Sequence, residues 1–98
     1  MFVNIISSSR LVVAACDKNL IGKIFEQDIF QLNVKENFYK GERKTREEAI
    51  QIFQNMKKED ATFNLVGPET IKTSIEAGII HKDNVGIIDN IPFALILL

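Results

Sequence analysis

Cysteine is almost missing from this chain. Cys16 is the only one in 98 residues, so no disulfide closes within the chain, and a zinc site built on thiolates lacks its ligands. A reducing compartment fits that usage, and the cytoplasm is the expected location. An excess of one charge is missing as well. Twelve lysines and arginines meet thirteen aspartates and glutamates, for a formal net charge of -1. That balance excludes wholesale electrostatic capture of nucleic acid or acidic membrane, and any such contact must come from a local patch. No apolar run approaches the ~20 residues that span a bilayer; the longest are Leu11–Cys16 and residues 91–98. The start, Met1-Phe2-Val3-Asn4, has no basic lead-in of an export signal, and no membrane partner is expected. Asp17, Asp28, Asp83 and Asp89 are scattered without the spacing of a calcium loop or a metal-binding helix, so no metal or cofactor is expected. There is no repeat, linker or low-complexity tract, which makes residues 1–98 one expected domain.

What is present suits a packed core. Hydrophobic residues make up 46% and charged residues 26%, ordinary globular values. Residues 2–6 and Leu11–Cys16 are β-prone runs joined by Ser7-Ser8-Ser9-Arg10, which predicts an N-terminal hairpin. Leu20-Ile21 then anchors one helical turn ended by Gly22. Phe30, Leu32 and Val34 alternate with Gln31, Asn33 and Lys35, the pattern of a half-buried strand. Residues 35–44 read as a polar loop.

Two helices follow. Thr45-Arg46-Glu47-Glu48 is a capping box, and Ala49, Ile50, Phe53 and Met56 at helical spacing predict a helix over about residues 46–58. Asn64-Leu65-Val66-Gly67-Pro68 reads as a strand turning directly into a second helix, over roughly residues 68–77. Gly67 supplies the turn, Pro68 suits the first helical position and Gly78 is the stop. Ile71 and Ile75 are expected inward, with Glu69, Lys72, Thr73 and Glu76 outward. A last strand covers residues 93–98; it is too apolar for an exposed edge, so it is either interior or covered by a second copy. The expected fold class is α+β: a small, mixed, mainly antiparallel sheet of about 4–6 strands with two main helices on one face.

Three groups of residues are candidates for chemistry. Cys16 ends a strand and could be a nucleophile with His81, the only histidine, as its base, but burial as a structural cysteine and a helix-dipole role for His81 are the favoured readings, so no catalytic residue is expected. The backbone amides at the strand-to-helix turn make Asn64 and Gly67 candidate anion-binding residues, although the glycine run and lysine of a phosphate loop are absent. The third group is Tyr39, Lys40, Arg43, Lys44 and Arg46. Between residues 35 and 46 five basic residues meet two acidic ones, with an aromatic ring interleaved, which is the raw material of an RNA contact.

Several blocks then carry a family resemblance. These are Ala14-Ala15-Cys16-Asp17 with Leu20 and Gly22-Lys23, then Phe38-Tyr39-Lys40-Gly41-Glu42-Arg43, Asn64-Leu65-Val66-Gly67, Ile75-Glu76-Ala77-Gly78, and Ile91-Pro92 with Ala94. In this order they resemble the small archaeal proteins grouped as domain of unknown function 424. One departure is Phe93, where the resemblance leads us to expect histidine. The resemblance implies an archaeal cytoplasmic protein involved in translation or other RNA-related work, and transfers no catalytic residue. Residues and resemblance together favour a non-enzymatic binding module contacting RNA or a ribonucleoprotein through the basic-aromatic loop. The alternatives are a small-molecule enzyme using Cys16 and His81, and a homodimer or other homo-oligomer assembled through residues 93–98.

Overall fold

A computed structural model describes residues 1–97. β1 (Phe2–Ser7) and β2 (Leu11–Cys16) form the expected hairpin, in register from Phe2 opposite Cys16 to Ser7 opposite Leu11. Residues 18–20 make one 3-10 turn, which Gly22 ends in the left-handed region at φ 79. β3 (Ile24–Gln27) and β4 (Phe30–Asn33) then form a separate two-stranded sheet. Residues 35–44 are not simply a loop. They hold a short helix, α1 (Glu36–Tyr39), and a two-residue strand, β5 (Glu42–Arg43), that pairs with the start of β1.

α2 (Arg46–Lys58) begins at the capping box. The Thr45 hydroxyl accepts from the Glu48 N–H at 3.2 Å, and the Glu48 carboxylate accepts from the Thr45 N–H at 2.9 Å. After it come β6 (Thr62–Val66), α3 (Pro68–Glu76), β7 (Gly86–Ile88) and β8 (Ile91–Ile96). The main sheet has the order β5-β1-β2-β6-β8-β7. Its one parallel pair is β2 with β6, which requires a crossover, and α2 lies within it. The architecture is thus mixed α+β with a mainly antiparallel sheet. No helix among the described residues is long and apolar enough to cross a membrane.

Strand alternation sorts the core into two clusters. Val3, Val13, Ala15, Phe63, Leu65 and Ala94 share one cluster with Ala49 and Phe53 of α2 and Ile71 of α3. Phe2, Cys16 and Val66, from the opposite face, share the other with Leu20, Val34 and Tyr39, and Phe25 and Leu32 of the small sheet pack against it.

Two expectations about faces need correction. In α3, Ile75 is 40% exposed and Thr73 only 1%. The buried side is built from Thr70, Ile71, Thr73 and Ser74. Their polar atoms are satisfied internally, since Ser74 Oγ donates to the Thr70 carbonyl at 2.7 Å and Thr70 Oγ1 donates to Asp17 at 2.8 Å. Once that is arranged, hydroxyl residues face the sheet and Ile75 turns out. In β4, Phe30 is exposed although Leu32 is half-buried; its ladder partner Gln27 accepts from the Asp89 N–H of the β7–β8 turn at 2.8 Å. The final strand is flanked by β6 on one side and by β7 on the other as far as Phe93. Leu98 lies outside the described residues.

Candidate binding cleft

One end of the sheet gathers several chain segments. Arg43 pairs with Phe2, and Phe2 pairs with Cys16, so β5, the start of β1 and the end of β2 share a row. The Lys44 N–H donates to the Met1 carbonyl at 2.9 Å, and the Met1 nitrogen donates back to the Lys44 carbonyl at 3.2 Å. Lys18 follows the end of β2, and Thr45, the cap of α2, follows Lys44. The result is an open cleft of about 360 Å³ lined by Met1, Lys18, Arg43, Lys44, Thr45, Glu48 and Glu69.

The start of α3 reaches this cleft because Asp17 holds it there. The buried Asp17 carboxylate accepts from the Thr70 N–H at 2.8 Å, the Thr70 hydroxyl at 2.8 Å and the Glu69 N–H at 3.1 Å. Gly67 makes room for it, since a Cβ at that position would sit 2.4 Å from Cγ of Asp17. The Gly67 N–H donates to the Pro92 carbonyl at 2.9 Å. At the turn expected to offer amides to an anion, an internal carboxylate and a neighbouring strand thus engage them. Asn64 is not brought to that point. It lies half-buried in a row running Asn4, Ala14, Asn64, Leu95 on the sheet.

The basic-aromatic group is dispersed by the fold. Tyr39 is 7% exposed, packed edge-on against Phe38 at 5.0 Å, and burial followed by the nearby Cys16 pushes its hydroxyl up to about 12. Its ring is not on the surface. Lys40 pairs with Glu36 at 3.4 Å, Lys44 with Glu42 at 2.9 Å, and Arg46 with both Glu47 and Glu76, tying α2 to α3. Hydrogen bonding to Glu42 holds the Lys44 ammonium above its ordinary range. Among the described residues, no ion pair forms at Arg43 or at Lys18. Lys18 was not singled out from the sequence, because only the hairpin and β5 place it beside Arg43, 25 positions away.

Cys16 and His81 do not meet. Cys16 is fully buried beside Asp17, and burial first, then the Asp17 charge, pushes its thiol up to about 11. Asp17 sits on the start of α3 while His81 follows its end, so the helix, nine residues and about 13 Å long, separates them. His81 is exposed and caps the 3-10 turn at residues 82–84, its Nδ1 accepting from the Asp83 N–H at 3.4 Å. The cation just past the end of α3 is instead Lys57, whose Nζ donates to the Gly78 carbonyl at 3.0 Å.

The family model described as "Protein of unknown function (DUF424)" matches residues 6–98. The chain belongs to that family. The DUF424 chain also resembles a solved structure, the "Crystal structure of an uncharacterized conserved protein from Methanopyrus kandleri", with a TM-score of 0.85 at 22% identity. That match covers 97% of this chain and 88% of the other. At this identity the likeness shows the fold alone, and it extends over the whole DUF424 arrangement of sheet and helices. No curated protein matches the chain.

Proposed function

We propose that the protein is a non-enzymatic binding module whose ligand is a phosphate-bearing segment of RNA. The observation that carries this reading is the convergence of Lys18, Arg43 and Lys44 on one open cleft from separate chain segments. Arg43 and Lys18 stand there without carboxylate partners among the described residues, so they can meet phosphate without first breaking an ion pair. Arg43 contributes a planar, bidentate donor and Lys18 a point charge. Lys40 and Arg46 extend the basic surface along the same stretch of chain, each already paired with glutamate.

With Tyr39 inside the protein, the contact is to the RNA backbone and carries little base selectivity. Glu48 is committed to the Thr45 cap, and Glu69 remains at the rim to limit how closely a phosphate approaches. The test is fluorescence anisotropy with single-stranded RNA oligonucleotides of several sequences. The Lys18→Ala, Arg43→Ala double variant weakens binding about tenfold or more and similarly for every sequence, as expected for phosphate contacts. Unchanged affinity in that variant, with the fold intact, would remove the cleft from the account.

A further inference from the structure

The turn of the β3–β4 hairpin carries apolar side chains that the packing of this chain does not use. Ile29 is 92% exposed and the adjacent Phe30 61%. The turn needs a left-handed backbone only at Asp28, whose φ of 56 aspartate tolerates. Nothing in that geometry requires a β-branched side chain at the next position, where small polar residues are usual. Further along the strands, Phe25 and Leu32 pack against the core, so the hairpin is anchored without the two residues at its tip. The tip is also fixed in place, because Gln27 accepts from the Asp89 N–H of the β7–β8 turn at 2.8 Å. Adjacent large apolar residues held in the open on an ordered hairpin mark a contact site.

We infer that this tip docks a basic protein, Ile29 and Phe30 entering an apolar pocket of the partner while Glu26, Asp28 and Asp89 face lysines and arginines around it. The charge of the region selects that partner. Residues 24–34 and 83–98 contain Glu26, Asp28, Asp83 and Asp89 and no lysine or arginine, so all 12 basic residues lie elsewhere in the chain. Lys23 and Lys35 flank the open end of the hairpin, away from its tip. Glu26, Asp28 and Asp89 are exposed, and none of them forms an ion pair among the described residues. Apolar anchors at the centre with complementary charges at the rim are how protein interfaces divide affinity and partner choice. The same carboxylates repel RNA and acidic lipid, and two such tips set against each other would bring like charges together. Position leaves room for RNA as well. β5, which carries Arg43, and β7, beside which the tip is held, are the two edges of the main sheet, five strand spacings or about 24 Å apart.

Selection of a displayed library of random short peptides on the full-length protein tests this, with counter-selection on the Ile29→Ser, Phe30→Ser variant. The enriched peptides are expected to combine large apolar residues with lysine or arginine. A synthetic copy of one binds the wild type in a salt-sensitive manner and about tenfold or more weakly in the double serine variant. A second variant, Glu26→Gln, Asp28→Asn, Asp89→Asn, keeps the apolar tip and residues that tolerate the left-handed turn positions, and is expected to lose a similar factor. The double serine variant retains the wild-type melting temperature and RNA affinity, so this contact and the basic cleft fail or stand separately. No enrichment over the counter-selected variant, enriched peptides that are acidic or purely apolar, or binding unchanged by loss of the three carboxylates would overturn the inference. So would RNA that displaces the peptide, or a wild type that uses Ile29 and Phe30 to self-associate or to bind phosphatidylcholine vesicles.

Discussion

The Asp17 carboxylate holds Thr70 by two bonds, from its backbone N–H and from its hydroxyl, both at 2.8 Å across 53 positions of sequence. With the Glu69 N–H also bound, Asp17 serves as the cap of α3 although it comes from the end of β2. Asp17→Ala leaves these buried donors without an acceptor and is expected to destabilise the fold by about 2–3 kcal/mol. Asp17→Asn keeps one oxygen and loses less. Urea titration of both variants checks the order, and equal losses would contradict it.

Gly67 is coupled to that arrangement. Its φ of 111 is outside the range of side-chain-bearing residues, and a Cβ would drive the bound Asp17 carboxylate aside. Gly67→Ala is expected to cost about 1–3 kcal/mol through strain alone. The clash with the Asp17 carboxylate adds to that strain, so in the Asp17→Ala background the total cost falls toward the strain alone, which a double-mutant cycle measures.

Alkali should destabilise the protein in a defined window. Burial raises Cys16 from 9.0 to about 11, and Tyr39 from 10.0 to about 12. The unfolded chain therefore releases these protons first. Their contribution is intact below pH 9 and falls as pH rises from 9 to 12. Cys16 should also resist alkylation near neutral pH and react only on unfolding. Rapid labelling of the native protein would contradict both statements.

The orientation of α3 predicts an inversion of the usual hydrophobic preference. Ile75→Lys, at an exposed position, should change stability by no more than about 0.5 kcal/mol. Thr73→Lys puts a charge into a position 1% exposed and should be strongly destabilising. Thermal unfolding of the two variants separates them.

Elements with purely local causes were legible in the sequence. The capping box at Thr45 and Glu48, the Gly67-Pro68 helix start and the serine-rich hairpin connection each involve neighbours a few residues apart. Thr73 and Ile75 were misplaced because the rotation of α3 is set by Asp17, which is remote in sequence. β3 was missed although Asp28, at φ 56, marks its turn, since Ile24 and Glu26 lie on an exposed sheet that lacks a clean apolar alternation. In the candidate site, Arg43 and Lys44 were visible as a local basic excess. Lys18 was not, and the interior position of Tyr39 depends on packing against Phe38 and the sheet row of Phe2, Cys16 and Val66.

The central claim is that RNA phosphates are bound in the cleft of Lys18, Arg43 and Lys44. Its most direct measurement is the affinity for single-stranded RNA as a function of salt, in the wild type and in the Lys18→Ala, Arg43→Ala variant. The account predicts a linear fall of log affinity with log salt. For single strands the slope is about -0.7 per neutralised phosphate, and the two substitutions reduce its magnitude by roughly 1.4. Affinity that ignores salt, or a slope that is the same in the variant, would contradict it.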